Sequence, residues 1–122
     1  MLDPTRAQAF SDEWYAAWNA RDLERVLAHW AEDAVFTSPL AAKLIPESGG
    51  TVTGKDALRE YWRRGLELNP DLHFEPRALL VGDESIVLSY TNHRGQECAE
   101  LLVLGDDGLA HRGIAHYDVE TG

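Results

Sequence analysis

The chain has 122 residues, enough for one domain around a single hydrophobic core and little more. Its 21 acidic and 11 basic residues give a formal net charge of −10, which argues against nucleic acid and anionic membrane surfaces as partners, since both need a basic face. Asp3, Arg6, Asp12 and Glu13 interrupt the first twenty residues, no run approaches a membrane span, and the lone Cys98 cannot close an internal disulfide, so a cytoplasmic protein is expected.

Asp3-Pro4 is a helix start, with the aspartate as N-cap and the proline at the first helical position. Phe10, Trp14, Ala17 and Trp18 then fall in one narrow helical stripe, which ends at Asn19-Ala20-Arg21. Asp22 caps a second helix with the stripe Leu23, Val26, Leu27 and Trp30. Ala34-Val35-Phe36-Thr37 is a short strand closed by Ser38-Pro39.

Residues 40–52 read as the longest irregular segment, either a pocket rim or a plain surface connection. A third helix after Gly54 presents Leu58, Tyr61, Trp62 and Gly65 on one face. The other face carries Glu60–Arg64 and Arg63–Glu67 pairs at i,i+4 spacing.

Strands are expected at 72–81, 85–92, 97–104 and 109–119, separated by Gly82-Asp83, Arg94-Gly95 and Gly105-Asp106-Asp107-Gly108. Such short turns make antiparallel hairpins. Three helical stripes then need one common sheet face. The expected fold is α+β over 1–122 as one domain: a cone in which three N-terminal helices pack on a curved, mostly antiparallel sheet and enclose a pocket.

One charge stands out. Glu100 lies in Cys98-Ala99-Glu100-Leu101-Leu102-Val103-Leu104, and alternation puts it on one face with Leu102 and Leu104. Desolvation there favours the neutral acid, which would suit it to acid/base chemistry or to donating to a developing oxyanion. A carboxylate at a pocket mouth, or paired with an arginine, is the other possibility.

The histidines assemble no metal site. His111 and His116 point to opposite faces of a strand, while His73 and His93 fall near strand ends and read as surface residues. His29 and Asp33 share helical i,i+4 spacing at the edge of the second helix. Trp14, Trp18, Trp30 and Trp62 all sit on core-facing stripes, and where several converge on one cavity they make a wall for a planar ligand.

The stretches Trp18-Asn19-Ala20-Arg21-Asp22-Leu23, Ala31-Glu32-Asp33-Ala34-Val35-Phe36 and Gly54-Lys55-Asp56-Ala57-Leu58 carry a family likeness, as does a last strand ending His116-Tyr117-Asp118. In them the chain resembles the nuclear transport factor two-like superfamily, particularly its SnoaL-like polyketide cyclase and ketosteroid-isomerase-like branch. By that resemblance, Glu100 matches the isomerases' protonated acid. Trp14 stands where they have a first-helix tyrosine, Ser38 where they have the catalytic aspartate, and Trp62 where they have a third-helix tyrosine. The resemblance also implies that Gly113, Ala115 and Tyr117 face the cavity and that His116 lies on an outer sheet face used for homodimers. Asp22 is read as an N-cap, and Asp33 as ordering a helix-to-strand turn.

The expected protein is a small-molecule pocket protein, an isomerase or cyclase that needs neither metal nor cofactor. Glu100 would be its acid or base, and Trp14, Trp18, Trp30, Ser38, Trp62, Leu102 and Tyr117 would shape the site for a small apolar or aromatic carbonyl compound. The alternative is a non-catalytic module of the same fold that binds a ligand or dimerises.

Overall fold

Asp3 opens the first helix as its sequence dictates: its carboxylate accepts the Thr5 N–H at 2.9 Å, and α1 (Pro4–Asn19) follows. In this computed structural model, which describes residues 1–119, α1 buries Ala7, Trp14, Ala17 and Trp18. Asp22 caps α2 through the Arg25 N–H at 3.2 Å. The link between these helices is a clamp. Arg21 adopts a left-handed φ of 57° and donates to the Leu66 and Asn69 carbonyls at 2.6 and 2.8 Å, closing the open end of a later helix. Asn19 exchanges two hydrogen bonds with the Phe74 backbone, at 2.8 and 2.9 Å.

Helix α2 spans only Leu23–Leu27, so Trp30 is not part of its stripe but the first residue of β1 (Trp30–Thr37). Pairing overrides periodicity here: the Ala110 N–H donates to the His29 carbonyl at 2.8 Å, drawing the chain into the sheet beside the last strand. The helical spacing of His29 and Asp33 disappears with it. Asp33 is exposed within β1 and does not order a helix-to-strand turn.

The segment expected to be irregular is largely regular. Ser38 caps α3 (Pro39–Leu44), accepting the Leu40 N–H at 3.1 Å, and a 3-10 turn at Pro46–Ser48 and the strand β2 (Thr51–Thr53) follow. The amphipathic α4 (Lys55–Leu68) buries Leu58, Tyr61, Trp62 and Leu66. On its exposed face Arg63 binds both Glu60 and Glu67, at 2.7 and 2.5 Å, in place of the expected Glu60–Arg64 pair.

Four strands complete the fold: β3 (Glu75–Val81), β4 (Ser85–Thr91), β5 (Glu97–Leu104) and β6 (Ala110–Tyr117). The sheet order is β2-β1-β6-β5-β4-β3, with β1 parallel to β6 and every other pair antiparallel. The architecture is thus the expected α+β cone with a curved open sheet, plus a short helix, a 3-10 turn and the strand β2, none of which the sequence reading places.

Alternation along the strands sorts the two sheet faces. Ile86, Leu88 and Tyr90 of β4 and Cys98, Glu100, Leu102 and Leu104 of β5 are buried beneath the helices. Gly113 serves this inner face by having no side chain. A Cβ there would meet Trp30 Cη2 at 2.5 Å and Phe36 Cδ1 at 2.8 Å, so glycine lets the indole lie against β6.

Candidate functional site

A cavity of about 460 Å³ opens between the helices and the inner sheet face. Its deep wall is aromatic: Trp18 of α1, Phe36 of β1, Tyr61 and Trp62 of α4, Phe74, and Tyr90 of β4. Pro39, Leu40 and Lys43 of α3 form one rim, so the segment first read as irregular does border the cavity. Asn69, Asn92, His93, Arg94, Gln96 and Asp118 ring the mouth.

Glu100 lies in the lining at 8% exposure, with the Tyr90 hydroxyl donating to its Oε1 at 3.2 Å. Burial pushes its pKa up to about 7, and the Tyr90 bond, which favours the carboxylate, only partly opposes this. Near neutrality the group is therefore divided between acid and carboxylate. The same burial raises the Tyr61, Tyr90 and Tyr117 phenols, with the Glu100 charge adding to each. Cys98, beside Glu100 in the lining, is pushed up to about 11, which keeps it a thiol.

The expected site residues divide into two groups. Trp18, Trp62, Glu100 and Tyr117 line the cavity. Trp14, Trp30, Ser38 and Leu102 are buried behind its wall instead. Trp14 stacks on Phe74 with centroids 5.6 Å apart and supports Tyr90, while Trp30 packs on Trp62 at 5.2 Å and on Phe36. Leu102 sits under Gly113. Ser38 lies under α3, beside the Tyr61 and Tyr117 phenols, and opposes the rise in both their pKa values. The physical reason is common to the four: a stripe or strand face points inward over its whole length, but only part of that length borders open space.

His93 also differs from the surface reading. It is half-buried at the mouth, and desolvation lowers its pKa. Sequence reasoning passed over Tyr90, Phe74 and Cys98. For Tyr90 a signal existed, because alternation through Ser85–Thr91 puts it on the face of Ile86 and Leu88, diagonal to Glu100 across the ladder. Among the described residues, no group of three or more His, Cys, Asp or Glu is placed to hold a metal ion, and no helix is long and apolar enough to cross a membrane.

The model of the SnoaL-like domain matches residues 12–122. A SnoaL-like protein of unknown function from Burkholderia thailandensis is 36% identical, with a TM-score of 0.91, and the alignment covers 97% of this chain and 99% of that one. Two more distant structures share the fold. A protein from Agrobacterium tumefaciens strain C58, provisionally assigned as an isomerase of the SnoaL-like family, is 17% identical with a TM-score of 0.74 over 93% of this chain and 98% of its own. One from Sinorhizobium meliloti, provisionally assigned as a polyketide cyclase, is 14% identical with a TM-score of 0.72 over 87% and 92%. Among curated proteins nothing matches. On the extent of the family match and its agreement with a relative over nearly the whole length, the chain belongs to the SnoaL-like domain family.

Proposed function

We propose that this protein takes a small, planar, aromatic carbonyl compound into its cavity and moves a proton on it with Glu100, in a reaction of the isomerase or cyclase type. The observation that carries this reading is a buried carboxyl group poised near pH 7 in the wall of an aromatic chamber. An acid with that pKa accepts and returns a proton at the same working pH, which is the condition for efficient general acid/base catalysis. The provisional isomerase and cyclase assignments of the fold relatives support the reaction class by analogy.

The test uses an enolisable aromatic ketone, 2-tetralone, in D2O. Wild-type protein is expected to accelerate exchange of the α-protons seen by NMR, and Glu100→Gln to slow it by about 10²-fold or more. Equal exchange by the two proteins removes Glu100 from the chemistry.

Ser38 favours a competing reading, a non-catalytic binding module. It stands where the resemblance puts a catalytic aspartate, yet its hydroxyl caps α3 and lies outside the cavity. Tight binding of aromatic ketones without exchange would select that module.

A second copy of this chain is part of the proposal. Leu80, Val87, Leu101 and Ile114 fall in one register row across β3, β4, β5 and β6 on the outer face, where Leu80 is 60% exposed. Light scattering is expected to give a dimer for wild type and a monomer for Leu101→Glu. A wild-type monomer at micromolar concentration overturns this part.

A further inference from the structure

The basic side chains of this acidic chain are unevenly compensated. Arg25, Lys55, Arg59, Arg63 and Arg77 each meet a carboxylate. Lys43 and Arg94 have no ion-pair partner among the described residues, and both line the cavity, one on α3 and the other in the β4–β5 turn.

Arg94 is held in place. Its backbone N–H and that of Gln96 both donate to the Asn92 carboxamide oxygen, at 2.9 and 3.0 Å, and Gly95 turns the chain at a φ of 78°. Its Nη2 donates to Asn69 Oδ1 at 2.8 Å, and Asn69 is itself tied to α4 through the Gly65 carbonyl and clamped by Arg21. Asn69 is neutral and takes one of five guanidinium N–H groups, so the charge at the mouth stays uncompensated and the other donors have no acceptor among the described residues. His93 registers that charge: burial lowers its pKa, and Arg94 and Arg21 lower it further against the pull of Asp71. The carboxylates of the lining are Asp118 at the mouth and Glu100 inside.

We propose that Lys43 and Arg94 hold a carboxylate that the ligand carries at the end remote from Glu100. The inference rests on the cavity being the ligand site, as proposed above, and it narrows the ligand to an aromatic keto acid. Its ring lies against Trp18 and Trp62 and its carboxylate reaches the rim. A carboxylate suits this pair, because a guanidinium offers adjacent N–H groups to two oxygens and an ammonium adds a point charge. Holding the anion at the rim also keeps it away from Glu100, whose ionisation a second negative charge would oppose. Both cations are exposed, so water and salt screen them and each contributes modestly.

Two probes of equal shape, 2-naphthoate and its neutral amide 2-naphthamide, test this by calorimetry at pH 7. Wild-type protein is expected to bind the acid about tenfold more tightly than the amide at low salt, with the gap closing in 0.5 M NaCl. Arg94→Gln and Lys43→Gln are each expected to weaken acid binding about threefold to fivefold and to change amide binding less than twofold. Arg6→Gln, which makes the same change in net charge outside the cavity, is expected to leave both affinities as they are. By NMR, 2-naphthoate is expected to raise the His93 pKa by offsetting the Arg94 charge, while 2-naphthamide does not.

The assignment is overturned if wild-type protein binds the amide as tightly as the acid, or binds neither. It is also overturned if both mouth variants bind the acid like wild type, or if Arg6→Gln costs as much as they do. A Glu100→Gln variant that binds the acid tenfold more tightly would place the carboxylate inside and overturn it too. Absence of 2-tetralone exchange by wild type sinks the chemistry of Glu100 alone, since the acid and amide comparison measures binding.

Discussion

Wild-type protein is expected to lose about 3 kcal/mol of stability, relative to Glu100→Gln, as pH rises from 4.5 to 8. The figure follows from the shift of Glu100 from 4.5 to about 7, at 1.36 kcal/mol per pH unit. Between those two values the folded protein holds a proton that the unfolded chain releases. A carboxyl group with a raised folded pKa therefore stabilises fully below 4.5, loses that contribution through neutrality, and levels off above about 7. Glutamine, which never ionises, has no such slope. Glu13 has the opposite sign: bound by Arg25 and His29 it is drawn down to about 2, so its contribution is lost only as pH falls below the ordinary carboxylate range. That effect is common to both proteins and cancels in the comparison. Urea midpoints measured at several pH values check the result, provided the m-value stays constant. A difference that does not change with pH would mean that the carboxyl is hydrated, and the chemical reading would fall with it.

Trp14→Ala is expected to cost about 3–5 kcal/mol, near the top of the range for a single truncation. At 2% exposure the indole is enclosed by Tyr15, Trp18, Phe74 and Tyr90, with ring centroids 4.9 to 6.3 Å away. Phe74 and Tyr90 line the cavity, and Tyr90 holds Glu100, so the void would open directly behind the acid. The variant should show a lowered urea midpoint and, where it remains folded, a Glu100 pKa moved toward 4.5 by entering water. A loss below 1 kcal/mol would show that the aromatic cluster closes over the gap. The indole N–H of Trp14 has no partner among the described residues, so phenylalanine should be tolerated far better than alanine.

These expectations depend on features of unequal legibility in the chain. Glu100 was readable because strict alternation in an apolar strand leaves a carboxylate no outward route, and β5 begins and ends where its turn signals put it. Ser38-Pro39 was misread for lack of consistency. It has the same grammar as Asp3-Pro4, a capping oxygen followed by proline at the first helical turn, yet after four strand-forming residues it reads only as the end of a strand. Trp30 was not recoverable from local pattern. Its spacing from Leu23, Val26 and Leu27 fits a helix, and only the pairing of residue 29 with Ala110, far along the chain, makes it a strand residue. The distinction between lining the cavity and lying behind it is likewise a property of depth, to which periodicity is blind: Trp14 and Trp18 share a stripe, but only Trp18 meets the open volume.

The parallel contact of β1 with β6 also dictates the order of assembly. The strand that follows the first two helices has its partner in the last strand of the fold, so the sheet stays split into a helical half with its own antiparallel β1–β2 pair and a separate meander until β6 has been made. A ribosome releasing this chain holds β1 with one edge vacant for most of synthesis, and closure is a single late event across a long span of sequence. Halting translation before Ala110 should leave Trp30 and Phe36 accessible to quenchers, and adding the final strand should bury both at once.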